Sequence, residues 1–346
     1  MKSDRKKVLW SLVFIVLTIL CVWFMVSREE SFFWGDFLES IKHSSLPLIL
    51  CAVCSMVGFI VFEAAALRTI IRSVGYPKGL RSNIVYSAAD IYFSAITPSA
   101  TGGQPVSAFF MMADGIPGAV VTASLILNLV AYTMAIVFVG VVALLFRFDI
   151  FLEFSLVSKG LIIAGFAVLA VMLAGFLFLL RNGSFLKRII MWFIRLGERL
   201  KIVKKKPERE QKIDRIVSDY KACTSLFGDK KYLIWKVFFW DLMQRASQIL
   251  VSVFVYLAMG GSLENGLKVW FIQSFSAIGS NCVPIPGAIG VADHLMLEGY
   301  EMVLPHGAAL NMELLSRGIS FYGSVLLSLI IIIPGYFGLK SMKKKS

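Results

Sequence analysis

Two short runs rich in proline and glycine interrupt otherwise apolar sequence: Thr97-Pro98-Ser99-Ala100-Thr101-Gly102-Gly103-Gln104-Pro105 and Pro284-Ile285-Pro286-Gly287-Ala288-Ile289-Gly290-Val291-Ala292-Asp293. Proline removes a backbone donor and glycine weakens a helix, so neither run fits a continuous helix. In hydrocarbon no water satisfies a freed N–H or C=O, and backbone leaves the helix only where protein or an aqueous cavity surrounds it. The runs occupy corresponding places in the two halves of the chain. Paired interruptions of this kind mark a binding site in a transporter-like fold.

Of the 346 residues, 58% are hydrophobic and 16% charged, whereas soluble domains average about half apolar and a quarter charged. The apolar stretches approach or exceed the ~20 residues a helix needs to cross ~30 Å of hydrocarbon, and they lack the alternation of membrane strands. The expected fold is an all-α polytopic membrane protein, a single integral membrane domain over residues 1–346. The first apolar run, Val8 to Val26, follows Lys2, Arg5, Lys6 and Lys7. With no small-residue cleavage site behind it, it reads as a retained span rather than a signal peptide. A net charge of +13 would suggest nucleic acid in a soluble protein, but here the surplus lies in loops and termini, where it orients the chain and meets anionic headgroups. Cys51 and Cys54, inside an apolar helix with no second ligand pair nearby, read as small buried packing residues.

Collecting positive charge on the cytoplasmic side gives one path through the membrane. Span one runs outward to residues 28–42, where four acids oppose two bases. Span two, residues 46–67, returns to Arg68, Arg72, Lys78 and Arg81. Residues 83–113 are broken in the middle, and each flank is too short to cross, so a re-entrant hairpin of half-helices from the cytoplasm is expected. Spans three (120–146) and four (160–180) complete a first half, residues 1–180. Residues 181–236 hold 16 Lys and Arg against six Asp and Glu. They form a basic cytoplasmic loop with an amphipathic helix at 185–200 and a polar helix from Pro207 to Leu226. The second half, 237–340, carries span five (237–259), a second hairpin (267–303) and span six (314–339). The sum is six full spans and two hairpins facing each other from opposite leaflets, with both termini cytoplasmic. Taking the hairpin arms as full spans gives eight to ten crossings instead.

A half-helix beginning near Gln104 would present free N–H groups and a positive dipole end to the membrane interior, the arrangement that binds phosphate or carboxylate. The second run predicts the same geometry, although proline and glycine also kink helices merely for packing. Ionisable groups in apolar sequence are costly, and each is a functional candidate: Glu63, Asp90, Asp241, Arg245, Asp293, Glu298, Glu301 and Arg317. Arg245 and Arg317 can hold a phosphodiester bidentately; alternatively Arg245 pairs with Asp241 one turn away. Asp293 stands on the first turn after Gly290, placed either to cap it or to meet an amine. His294 and His306 lack metal-ligand spacing. There is no P-loop, dinucleotide fingerprint, nucleophile elbow or H-E-x-x-H motif.

Together the two runs, Thr97-Pro98 through Gly102-Gly103-Gln104-Pro105 and Pro284 through Asp293, resemble the paired motifs of the lysylphosphatidylglycerol synthase transmembrane family. That family includes the flippase half of the bacterial multiple peptide resistance factor. The resemblance covers about residues 8 to 340. It departs at Ala288, where a second Gly is commoner, and at Asp293, where Glu is commoner and reaches further; Arg317 matches a family Arg. Full-length members carry a C-terminal synthase domain that transfers lysine from lysyl-tRNA to phosphatidylglycerol, and this sequence is expected to lack that part, ending at Ser346 after its last apolar run.

The resemblance implies a flippase-like protein of the bacterial inner membrane, moving aminoacylated (lysyl) phosphatidylglycerol between leaflets without cofactor or metal. Its partners would be membrane phospholipids and their anionic headgroups. The expected substrate-binding residues are Thr97, Pro98, Gly102, Gly103, Gln104, Pro284, Pro286, Gly287, Gly290, Asp293, Arg317, Arg245 and Asp90. Three alternatives stand beside it. One is a phosphatidylglycerol lysyltransferase, alone or with a separately encoded synthase, which would bring lysyl-tRNA as the one nucleic-acid partner. The others are a transporter of a polyprenyl-phosphate-linked carrier and a scaffold whose basic loop recruits a partner.

Overall fold

A computed structural model describes residues 34–97, 102–199, 208–229, 231–283 and 285–342. The expected first span, Pro98, Pro284 and the Lys204-Lys205-Lys206 run lie outside these residues. All regular structure among the described residues is helical. In chain order the helices are α1 (Trp34–His43), α2 (Leu46–Ser73), α3 (Leu80–Ile96), α4 (Gly103–Ala113), α5 (Gly118–Phe146), α6 (Phe148–Glu153) and α7 (Leu156–Arg181). They continue with α8 (Gly183–Arg199), α9 (Glu208–Asp229), α10 (Lys231–Ala258), α11 (Leu263–Gly279), α12 (Val291–Glu301), α13 (His306–Arg317) and α14 (Ser324–Met342). A π-helical stretch, Gly318–Gly323, joins α13 to α14. The expected sixth span therefore begins earlier in the chain than its apolar core suggests.

Helix lengths expose an internal repeat. The first unit, α2 to α5, runs 28, 17, 11 and 29 residues. The second opens with α10, α11 and α12 at 28, 17 and 11 residues and closes with α13 and α14. The two opening helices are antiparallel: Ser45 N at the start of α2 donates to Ala258 O at the end of α10 at 2.8 Å, and Glu63 on α2 meets Gln244 on α10. Four helical segments, α2, α5, α7 and the joined α13–α14, are long and apolar enough to cross a membrane. At 1.5 Å per residue α10 is also long enough, ~42 Å, but Asp241 and Arg245 lie in its middle. By the same measure α4 and α12 each reach only ~17 Å, short of ~30 Å of hydrocarbon.

Local sequence sets these boundaries. Ser155 and Ser262 cap α7 and α11 by accepting from Ser158 N and Asn265 N, each at 3.3 Å. Pro117 precedes α5, and Gly115 and Gly260 turn the chain with φ of 87° and 88°. Glycines also let helices close up. A Cβ on Gly165 of α7 would overlap the carbonyl oxygen of Ile278 on α11, and one on Gly140 of α5 would overlap the same residue's side chain. Two apolar cores result, one around α3, α4 and α5, the other around α10, α11 and α12.

Two sequence expectations need correction. The helix after Pro207 is not polar all round. Ile213, Val217, Tyr220 and Phe227 of α9 are buried, a stripe at spacings of four, three and seven residues that seats the helix against α5. Tyr220 Oη donates to Leu179 O at 2.9 Å, and burial pushes its phenol up to about 12, which keeps it a neutral donor. Cys51 and Cys54 are free and exposed on α2 rather than buried. In a membrane the lipid-facing surface is apolar too, so an apolar position need not be an interior one.

Candidate functional site

The first break is closed by one threonine. Thr97 follows α3 in extended conformation, φ −111° and ψ 144°; its Oγ1 accepts from Gly102 N at 2.8 Å and donates to Phe93 O at 2.7 Å. Gly102 has no room for a side chain beside Thr97, and a Cβ on Gly103 would overlap Asp90 Oδ1 and Ser94 Oγ. The start of α4 thus rests directly on Asp90, which is 7% exposed. Asp90 Oδ1 accepts from Ser94 Oγ at 3.1 Å and Oδ2 from Gln104 Nε2 at 2.5 Å. Sequence alone predicts an open anion site at this helix start. The structure fills that place with the protein's own carboxylate, which gains from the helix dipole in the way a bound anion would. Gly103→Ala is expected to destabilise the fold by about 2 kcal/mol through overpacking, read as a lowered thermal midpoint in detergent.

At the second break the chain passes through two single 3₁₀ turns, Ser280–Cys282 and Pro286–Ala288. Gly287, Ala288 and Gly290 all take positive φ, 61°, 51° and 85°. Ala288 is the one non-glycine residue among the described residues to do so, and its Cβ opposes a left-handed conformation. Ala288→Gly is therefore expected to stabilise the protein, by up to about 1 kcal/mol, seen as a raised thermal midpoint with the cavity unchanged.

Arg317 ties this break to α13. Its Nη2 donates to Gly287 O at 3.1 Å, its guanidinium lies 4.8 Å from the centre of the Phe321 ring, and its Nε sits 2.6 Å from Asp293 Oδ1. That approach is an ion pair rather than an aligned hydrogen bond, since neither atom has a directed partner. Asp293 Oδ2 meanwhile accepts from Gly290 N at 2.7 Å. One carboxylate both caps α12 and neutralises Arg317. Further along α12, Glu298 accepts from Ser155 N and from Ser158 Oγ, joining the hairpin to the start of α7.

Both breaks open onto one cavity of about 860 Å³. Its polar wall includes Glu63, Asp90, Gln104, Gln244 and Arg245, with Arg317 beside Gly287. Val168, Met172 and Phe176 of α7 supply an apolar wall, and Met172 is 41% exposed. Arg245 is 5% exposed; it stacks 4.8 Å from the centre of the Tyr132 ring and donates through Nη1 to Gln248 Oε1. Among the described residues its Nε and Nη2 have no hydrogen-bond partner, nor does either carboxylate oxygen of Asp241. The alternative Asp241–Arg245 ion pair does not form, because Arg245 reaches toward Tyr132 and Gln248 instead.

Of the expected site residues, Asp90, Gln104, Gly287, Arg245 and Arg317 line the cavity. Thr97, Gly102, Gly103, Gly290 and Asp293 shape the two breaks, and Pro286 opens the second 3₁₀ turn. Glu63, Gln244 and Tyr132 complete the wall. Of these, Glu63 is recognisable in the sequence as a carboxyl in an apolar helix, while the other two carry no sequence signal. Among the described residues no group of three or more His, Cys, Asp and Glu could hold a metal.

No curated protein matches the chain. Residues 8–328 match the family described as Lysylphosphatidylglycerol synthase TM region. That span contains both breaks, the cavity and Arg317, and on it the chain belongs to the lysylphosphatidylglycerol synthase transmembrane family.

Proposed function

We propose that this membrane protein moves a phospholipid between leaflets, with its headgroup passing through the cavity between the two broken helix pairs. Aminoacylated (lysyl) phosphatidylglycerol is the substrate that the family description favours. The observation that carries the reading is the division of the cavity into a polar wall, where Arg245 Nε and Nη2 have no hydrogen-bond partner among the described residues, and an apolar wall on α7. A lipid needs both: a place for phosphate and amine, and a surface along which acyl chains stay out of water. Arg245 would hold the phosphate, Asp90 with Glu63 would meet the amine, and the hairpins would gate from opposite leaflets. The antiparallel opening helices of the two units support such an inverted arrangement. In this reading the termini face the cytoplasm of a bacterial inner membrane, as the basic residues favour.

The family description also favours a second reading, transfer of lysine to phosphatidylglycerol. One experiment separates them. Proteoliposomes of the purified chain are assayed for leaflet exchange of fluorescent phosphatidylglycerol and lysyl-phosphatidylglycerol, and in parallel for incorporation of labelled lysine from charged tRNA. Exchange without incorporation is expected; incorporation without exchange would establish the transferase.

A further inference from the structure

The cavity region holds more acid than base. Glu63, Asp90 and Asp241 are 4%, 7% and 0% exposed, and the cation that shares their surroundings is Arg245, since Arg317 is matched by Asp293. Glu63 on α2 and Asp90 on α3 are both buried and line the same cavity, with their carboxyl groups within reach of each other. The elements packed around this pair bring no further base to it. From α10 come Asp241 and Arg245; α4, α5, the Pro286–Ala288 turn, the π-helical stretch and α14 as far as Gly335 contain no carboxyl, amine, guanidinium or imidazole.

Neighbouring amides add acceptors rather than donors. Gln244 gives its Nε2 to Glu63 at 3.1 Å and Gln104 gives its Nε2 to Asp90, because a carboxylate can take only the N–H side of an amide. Gln244 Oε1, Gln104 Oε1 and Asn128 Oδ1 are left buried without a donor among the described residues. Gln244 and Asn128 are 2% and 4% exposed, and all three residues line the cavity. Carboxyl groups crowded into a low dielectric are strongly unfavourable unless a cation or a proton compensates them. A headgroup ammonium can do so while a lipid is bound. Once it departs, two buried carboxyl groups within reach of each other stay together only with a proton between them.

We propose that Glu63 and Asp90 form a proton-exchange site coupled to headgroup movement. As the ammonium group arrives, the pair releases one proton from its shared O–H to water in the cavity; as the headgroup leaves, one carboxylate oxygen takes a proton back. A proton gradient then drives the lipid in the opposite direction. This inference rests on the flippase reading and adds its energy source.

The test uses proteoliposomes of the full chain with a pH-sensitive dye in the lumen and fluorescent lysyl-phosphatidylglycerol as probe, in sodium-free buffer. Proton movement that requires both protein and probe lipid is expected. One unit of imposed pH gradient should shift the leaflet ratio of the probe about tenfold at one proton per lipid, and a protonophore should abolish the shift. Glu63→Gln should lower the protons moved per lipid moved about fivefold or more, with partial recovery in Glu63→Asp. Lipid movement without proton movement, or movement driven by a sodium gradient imposed in a separate run, overturns the coupling and leaves the flippase reading standing. Absence of any lipid movement overturns both.

Discussion

Replacing Arg317 with alanine should destabilise the protein by about 3 kcal/mol, the scale expected when one partner of a buried ion pair is removed. The loss has three sources: Asp293 keeps its charge without a cation, Gly287 O loses its donor, and Phe321 loses the guanidinium stacked on it. The second break would loosen, because Arg317 is the link between α13 and the irregular backbone at Gly287. The thermal midpoint in detergent should fall by about 5–10 °C. Arg317→Lys should lie between the two, since it keeps charge but not the fork that reaches Asp293 and Gly287 together. Pairing Arg317→Met with Asp293→Asn should recover more than half of the loss, because no buried charge is then stranded. An unchanged midpoint in Arg317→Ala would show that the pair does not hold the break.

Arg245→Ala should act differently, on lipid movement more than on stability. Its guanidinium touches Gln248 and the Tyr132 ring but no carboxylate, so its removal breaks no ion pair. A charge-assisted hydrogen bond contributes about 1.5–3 kcal/mol, which corresponds to a ~10- to 100-fold drop in the rate of leaflet exchange. The drop should be equal for phosphatidylglycerol and its lysyl form, which share the phosphate. Asp90→Asn should instead slow only the amine-bearing lipid. Leaflet exchange measured for both lipids in both variants checks the assignment, and equal effects of the two substitutions on both lipids would remove it.

Much of this arrangement is legible in the amino-acid sequence, and the reasons are local. Pro98 and Pro286 each remove a backbone donor and Gly102, Gly103 and Gly287 weaken a helix, so two interruptions are expected from backbone chemistry. Asp293 as a cap follows from its position three residues after Gly290. What the sequence hides depends on apposition in space. Asp90 fills the start of α4 because the hairpin folds back on it, a contact that helix-end reasoning, which sees only the dipole, leaves open. Spacing of four residues predicts an Asp241–Arg245 pair, yet the side chain goes the other way because Tyr132 and Gln248 lie on α5 and the next turn of α10. Glu63 and Gln244 meet across 181 residues of sequence, and no local pattern announces such a pair. The outward-facing Cys51 and Cys54 reflect the solvent: where lipid is outside, hydropathy stops separating surface from core.

Cryo-electron microscopy of the full chain in nanodiscs containing lysyl-phosphatidylglycerol would show whether a lipid headgroup occupies the cavity between the two breaks. Headgroup density is expected between Arg245 and the Glu63–Asp90 pair, phosphate against the guanidinium and amine against the carboxyls, with acyl chains along Val168, Met172 and Phe176. Lipid ordered only around the outside of the helices, with no headgroup density in the cavity, would contradict that placement.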